Sequence, residues 1–430
     1  MSASEVDAVV YDAREAVVGP SVGDAGGGAL EVVENAEPTG SARALTLDVR
    51  ENAAVVIADG RVVRVGDTDE VIREYPPENA VRAVDAAGRA VVPGFVDPHT
   101  HAVFAGDRSD EFAAKLRGKP YQEILAEGGG ILRTVRATRG ASDETLLANL
   151  VGHLDAMLDH GTTTVEVKSG YGLDRETELR LLEAIEAADE NHPVDVVPTF
   201  MGAHAIPEDR DADDYVDEVV DEQIPAVAEQ GVAEFCDVFC EEDVFSVEQS
   251  RRVLDAGAAA GLTPKVHAEE FTRLGGAGLA ADAGAASADH LLHATDGDAR
   301  ALAGSGVAPV LLPGTAFGLG ADYADPAPFR EAGSPVALAT DFNPNCFSRS
   351  QAFTATLACV EMGMTPAEAL VGITRAAATA LSRTGGTGTL REGAPGDLVV
   401  LDAPSHVHVP YRFDGSPADV VLKEGVVVRE

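Results

Sequence analysis

His99 and His101 stand one residue apart in the stretch DPHTHAVFAGDR, residues 97–108. Alternate residues of an extended strand face one side, so both imidazoles of an H-x-H can reach one ion. His267 in KVHAEE, His290 in ADHL and Asp341 in ATDFNP each close another short apolar run, and Tyr171 and His204 close two more. Three histidines and a carboxylate leave a coordination position open for water, as a catalytic site requires and a closed structural site does not. Such an ion lowers the pKa of water from 15.7 toward about 7. A carboxylate beside such a water could take that proton and pass it to a leaving group. Arg108, seven residues past His101, offers a planar guanidinium that grips a carboxylate through two parallel hydrogen bonds.

Eight apolar runs carry these residues: VVPGFVDPHTHA, TTTVEVKSGYG, VDVVPTFMGAH, AEFCDVFCE, TPKVHAEE, ASADHL, VAPVLLPG and PVALATDFNP. Helical stretches separate most of them, among them DETLLANLVGHLDAMLDHG with Asp143 near its start and Gly161 at its end. Buried parallel strands alternating with helices predict an α/β fold, a (β/α)8 TIM-like barrel with its active site at the C-terminal strand ends. A doubly wound open sheet is the alternative, but no phosphate-type glycine turn opens a helix. Both chain ends read as β. AVVIADGRVVRVGD is two alternating runs joined by Asp59-Gly60, a hairpin signal, and AVRAVDAAGRAVVPG repeats the pattern. GTLREGAPGDLVVLDAP and DVVLKEGVVVRE return to β at the C-terminus. The expected division is a composite β-sandwich from 1–92 plus 386–430 around a barrel over 93–385. The Gly-rich stretch 18–44 reads as a mobile surface loop.

The totals narrow the class. With 72 acidic against 32 basic residues the net charge is −40, the wrong sign for a nucleic-acid binder. The acids are scattered along the chain, as in a surface kept soluble in a salt-rich cytoplasm, where screening makes self-repulsion cheap. Only five residues are lysine: Lys115, Lys119, Lys168, Lys265 and Lys423. No run suits a membrane span or a signal peptide, so a cytoplasmic location is expected. Cys236, Cys240, Cys346 and Cys359 read as reduced intracellular thiols.

The motifs DPHTHAVFAGDRSDEF, GGGILRTVRATR, EVKSGYGL, TFMGAHAIP, HAEEF and TDFNPN closely resemble the amidohydrolase superfamily and, within it, the imidazolonepropionase family, over essentially the whole chain. The resemblance implies one Zn(II) or Fe(III) ion per subunit on His99, His101, His267 and Asp341, with His290 beside the attacking water but not a firm ligand. Many superfamily members bridge two ions with a carboxylated lysine on strand four; AEFCDVFCE has none, and although Cys240 and Glu241 could bridge in principle, the resemblance implies one ion. The implied substrate is 4-imidazolone-5-propanoate, opened at its ring amide to N-formimidoyl-L-glutamate in histidine degradation. Arg108 would hold the propionate, Tyr171 and His204 would contact substrate, with His204 near the carbonyl oxygen, Glu270 would bond a ring nitrogen, and Asn343 would bind substrate or product. A homodimer is implied. Asn345 departs from the family, which has a small residue there, so no contact is carried over to it. The competing expectations are another cyclic-amide hydrolase or deaminase of the same fold, for which Glu270 is suitably placed, and a non-catalytic assembly relative, which should have lost ligands.

Overall fold

A computed structural model describes residues 6–21, 45–119, 123–124 and 127–430. Most of the 18–44 stretch read as a loop lies outside these residues, although Val18–Pro20 continue a strand.

Both chain ends build one sheet. Strand β1 (Val6–Pro20) pairs antiparallel with β2 (Leu47–Ala58), which turns through Asp59 and Gly60 into β3 (Arg61–Asp67). Both turn residues have positive φ, 50° and 71°, the conformation a two-residue hairpin requires. The second expected hairpin does not form. Strands β4 (Arg82–Asp85) and β5 (Ala90–Pro93) follow one another along β1 and pair with it in parallel. Because β2 already covers one edge of β1, the two short runs share the other, and a cross-strand turn between them has no edge to close.

The chain then enters eight parallel strands: β6 (Phe95–Asp97), β7 (Thr162–Lys168), β8 (Asp195–Ala203), β9 (Phe235–Cys240), β10 (Thr263–Ala268), β11 (Ser287–His290), β12 (Ala308–Leu311) and β13 (Ala337–Leu338). They pair in chain order, as a βα barrel requires. The last strand is only two residues long, so side chains help to close the ring. Thr340 donates to the buried Asp97 from its backbone N–H (3.1 Å) and its hydroxyl (2.6 Å), and Gln351 donates to the carbonyls of Val96 (2.6 Å) and Leu338 (3.1 Å). A backbone bridge between Thr100 and Phe342 continues the closure above them. Helices begin where capping residues dictate: Ser142 accepts from the N–H of Thr145 ahead of Asp143–Asp159, and Asp174 from Thr177 ahead of Arg175–Asn191.

After the barrel, β14 (Leu398–Leu401) pairs with β5, and β15 (Ala418–Lys423) and β16 (Val426–Arg429) complete the terminal sheet. Val10, Val55, Ile57, Val91, Leu398, Val400 and Leu422 fill one face of it. Val9 and Val56 pack on the other against Val71 of the helix Thr68–Glu74. Among the described residues no helix is long and apolar enough to cross a membrane.

Candidate metal centre

Several residues at the C-terminal strand ends hold a strained backbone. His290 (φ 76°) and Asp341 (φ 52°) hold left-handed conformations, as do Glu269 (56°) and Leu291 (59°) beside them. Outside glycine this conformation costs free energy and persists only where surrounding structure imposes it, typically at functional sites. Here it turns the imidazole and the carboxylate inward at the barrel mouth.

His99, His101 and His267 each offer one ligand atom, all within 4.8 Å of one another, and His99, His290 and Asp341 form a second such group. His101 Nε2 lies 3.4 Å from His267 Nε2, and Asp341 Oδ1 lies 3.6 Å from the Nε2 atoms of both His99 and His101. Two ligands at about 2.1 Å from an ion in tetrahedral geometry stand about 3.4 Å apart, so each of these three separations is one that two ligands of the same ion could have. The buried His99 Nε2 has no hydrogen-bond partner, which suits a ligand atom. Burial, reinforced by neighbouring charges, pushes the pKa of His99, His101 and His290 well below the ordinary imidazole value. The rings are therefore neutral at working pH, the form that binds metal. Burial raises the Asp341 carboxyl against the pull of a hydrogen bond from the Thr315 hydroxyl.

Beneath the histidines lies a group of charged residues that the sequence reading passed over. Glu166 and Lys168 of β7, Asp237 of β9, Lys265 of β10 and Asp289 of β11 are fully buried. Asp289 Oδ2 accepts from His99 Nδ1 at 2.6 Å, and Asp237 Oδ1 from His267 Nδ1 at 3.1 Å. A carboxylate only accepts, so in both rings Nδ1 carries the proton and Nε2 turns its lone pair toward the centre. Lys168 Nζ is 2.7 Å from Glu166 and from Asp237, and 3.9 Å from Asp289. Lys265 donates to Glu166 (2.8 Å) and to the carbonyl of Pro98 (2.9 Å). Burial would raise the Asp237 carboxyl, but His267, Lys168 and Lys265 hold it well below the ordinary value; burial wins at Asp289, lifting it to about 6.

The remaining expected site residues line the rim. Arg108 is buried at the start of the helix Ser109–Leu116, and its Nε donates to Glu111 at 2.8 Å. Among the described residues its two terminal nitrogens have no hydrogen-bond partner, leaving the fork open. Glu111 also accepts from the N–H of Gly130 (3.1 Å), anchoring the pair. Tyr171 lies 5.9 Å from His101 and 5.3 Å from His204, ring centre to ring centre. The loop holding it is moulded by the buried Glu178, whose carboxylate accepts from the backbone N–H groups of Gly170, Gly172 and Leu173. Gly170 has φ 103°, and a Cβ there would stand 2.9 Å from His204 Nδ1, so no side chain fits. Its carbonyl lies 3.0 Å from His204 Nδ1. A carbonyl cannot donate, so Nδ1 carries the proton, and burial, which lowers the pKa of His204 to about 3, keeps the ring neutral. His204 therefore presents an acceptor, Nε2, to the site. The adjacent Glu269 and Glu270 are placed differently. Glu269 accepts from Leu274, Gly275 and Ala277 and shapes the start of the next helix, whereas Glu270 lies 3.6 Å from His290. Burial, with Asp341 and Glu241 nearby, pushes the Glu270 carboxyl well up. Asn343 is largely used locally: its amide donates to the Asp341 carbonyl and its oxygen accepts from the N–H groups of Asn345 and Cys346. Asn345 accepts from Lys115 at 3.0 Å, tying this loop to the Arg108 helix.

Comparisons with known proteins agree on one lineage. Residues 90–428 match the amidohydrolase family model. The imidazolonepropionase of Haloarcula marismortui is 67% identical over 423 residues, covering 98% of this chain and 96% of that one. That of Geobacillus kaustophilus is 48% identical, covering 89% and 91%. Among solved structures, a zinc-bound adenosine deaminase from Xanthomonas campestris superposes with a TM-score of 0.72 at 16% identity, over 99% of this chain and 93% of that one, a likeness of fold. Strand ends, ligand spacing and sequence kinship thus converge, and the chain belongs to the amidohydrolase family and, within it, to the imidazolonepropionases.

Proposed function

We propose that the chain hydrolyses the ring amide of 4-imidazolone-5-propanoate to N-formimidoyl-L-glutamate, with one Zn(II) or Fe(III) ion per subunit on His99, His101, His267 and Asp341. The observation that carries this reading is the open, buried guanidinium of Arg108 on the rim of a converging set of three histidines and one aspartate. A deaminase acting on an uncharged ring has no use for that cation. When bound, the ion supplies Lewis acidity, activating water at neutral pH. Asp341, held by Thr315, takes the proton of the attacking water as the new C–O bond forms, and returns it to the ring nitrogen as the C–N bond breaks. His290 stands beside it. His204 accepts a ring N–H at Nε2, and Glu270, kept protonated by burial, donates to the other ring nitrogen. Arg108 grips the propionate, Tyr171 walls the pocket, and Asn343 sets the turn that carries Asp341, with one amide hydrogen left for a ligand. The barrel over 93–385 is the catalytic unit. A cytoplasmic homodimer accords with the kinship, and the acidic surface with a salt-adapted origin.

The test follows the ultraviolet decay of imidazolone propionate with metal-assayed protein. Arg108→Ala should lose about 2–4 kcal/mol of transition-state stabilisation, about thirty- to a thousandfold in kcat/KM, with metal content unchanged. On an imidazolone lacking the propionate arm the wild type should be poor and the variant little worse. Equal damage to both substrates would show that Arg108 does not read the carboxylate.

A further inference from the structure

We infer that Lys168 is a positioning residue for the metal ligands: its ammonium ties together the two aspartates that aim His267 and His99, so that both rings face the ion as a unit. The inference goes one layer below the ligand set proposed above and rests on that set. Lys168 comes from β7, which contributes no ligand. Its Nζ reaches Asp237 on β9 at 2.7 Å and approaches Asp289 on β11 at 3.9 Å, while Glu166 holds it from its own strand at 2.7 Å. All four side chains are fully buried, so no solvent stabilises them. The two aspartates in turn meet the Nδ1 atoms of His267 (3.1 Å) and His99 (2.6 Å). One cation therefore reaches carboxylates belonging to two ligands on different stretches of chain: Lys168 is the ammonium that Asp237 meets, and it shares Asp289 with Lys265, which also stands 3.9 Å away. Without it, among the described residues Asp237 has no ammonium in contact and Asp289 is left with Lys265 alone, so the buried Asp237 carboxylate lowers its energy by turning away. Such a turn spoils the fixed Nδ1–H donation that keeps the Nε2 lone pair on the ion.

His101 supplies an internal contrast. Among the described residues its buried Nδ1 has no hydrogen-bond partner, so no carboxylate of the floor aims it. Lys168 should thus act on His99 and His267 and leave His101 untouched. Lys265, bonded to Glu166 and the Pro98 carbonyl, supports the floor from the side of β10.

The test measures zinc(II) affinity and the rate of zinc release to a chelator, independently of turnover. Lys168→Met removes the tie but leaves buried negative charge in excess. Lys168→Met/Glu166→Gln removes the tie and keeps the floor at the wild-type balance, since one charge of each sign is lost. Both variants should bind zinc roughly ten- to a hundredfold more weakly and release it faster, the range found when partners of metal-bound histidines are removed. The same lysine change in an Asp237→Asn/Asp289→Asn background should add little. A charge-balanced variant that folds and holds zinc as tightly as the wild type overturns the inference. So does failure of both lysine variants to fold, because the residue then holds the barrel and not the ligands. If the wild type itself binds zinc only weakly, the ligand set above is wrong, and that result is distinct from a tight wild type with an indifferent Lys168.

Discussion

The charges on the barrel floor and those on the outer surface are the same chemical groups under different electrostatics. On the floor, three carboxylates and two ammonium groups are wholly removed from water and bonded to one another. On the surface the acids outnumber the bases throughout, and the ion pairs that form, such as Arg252 with Asp217 and Arg251 with Asp282, leave both partners well exposed. Floor charges interact at low dielectric, where each must have its partner. Surface charges interact through water and salt, where a net of −40 is tolerable only while it is screened. The comparison teaches that salt should govern one population and leave the other alone.

The largest effect should come from salt itself. Dilution from 1 M to 0.01 M KCl stretches the screening length from about 3 Å to about 30 Å, bringing surface acids into mutual repulsion. The melting temperature should fall steeply, to the point of unfolding, and an unchanged value across that range would break the comparison. Next comes the floor. Lys265→Met leaves Glu166 with Lys168 as its one remaining ammonium and the floor with an excess of buried negative charge, and should cost about 3–5 kcal/mol. Urea denaturation at 1 M and 3 M KCl should return the same loss at both salt levels; a loss that shrinks with salt means the floor is wet.

His153 lies between the two regimes, half-buried against Phe104 and Phe342. Burial, with Arg349 nearby, lowers its pKa from 6.5 to about 4. The unfolded chain therefore takes up the proton first on acidification, and stability is lost as pH falls from about 6.5 to about 4. The contribution is on the order of 1–2 kcal/mol once its partial exposure is allowed for. His153→Phe should flatten that part of the stability–pH curve, and an unaltered slope would sink the assignment. The smallest effect belongs to the surface pairs: Arg252→Ala should change stability by about 0.2–1 kcal/mol at most, less in high salt.

Much of this was legible in the chain because the signals were local. Each barrel strand is a short apolar run, and the site residues follow directly from the strand ends, so His99, His101, His267, His290 and Asp341 could be grouped before any pairing was known. The floor was not legible. Glu166, Lys168, Asp237, Lys265 and Asp289 lie within the same runs, where an isolated charge reads as a solvent-facing position, and their partners are distant in sequence. The available signal was rarity: two of only five lysines fall inside the apolar strands of the barrel. The pairing of β4 and β5 was hidden for a related reason, since alternation reveals a strand but not its neighbour. The roles of His204 and Asn343 turned on single hydrogen bonds, to Gly170 and within the 341–346 turn, that no residue pattern encodes.

The terminal sheet also sets a schedule for synthesis. Strands β1 to β5 leave the ribosome first, yet the outer edge of β5 is completed only by β14, with Pro93 paired to Leu398 beyond the entire barrel. Throughout translation the nascent chain therefore carries an apolar, unpaired strand edge, the kind of surface that recruits other chains. The strands that emerge after the barrel act as a latch that seals those made before it, so a chain truncated shortly before Leu398 should keep its whole barrel sequence and still be prone to aggregate.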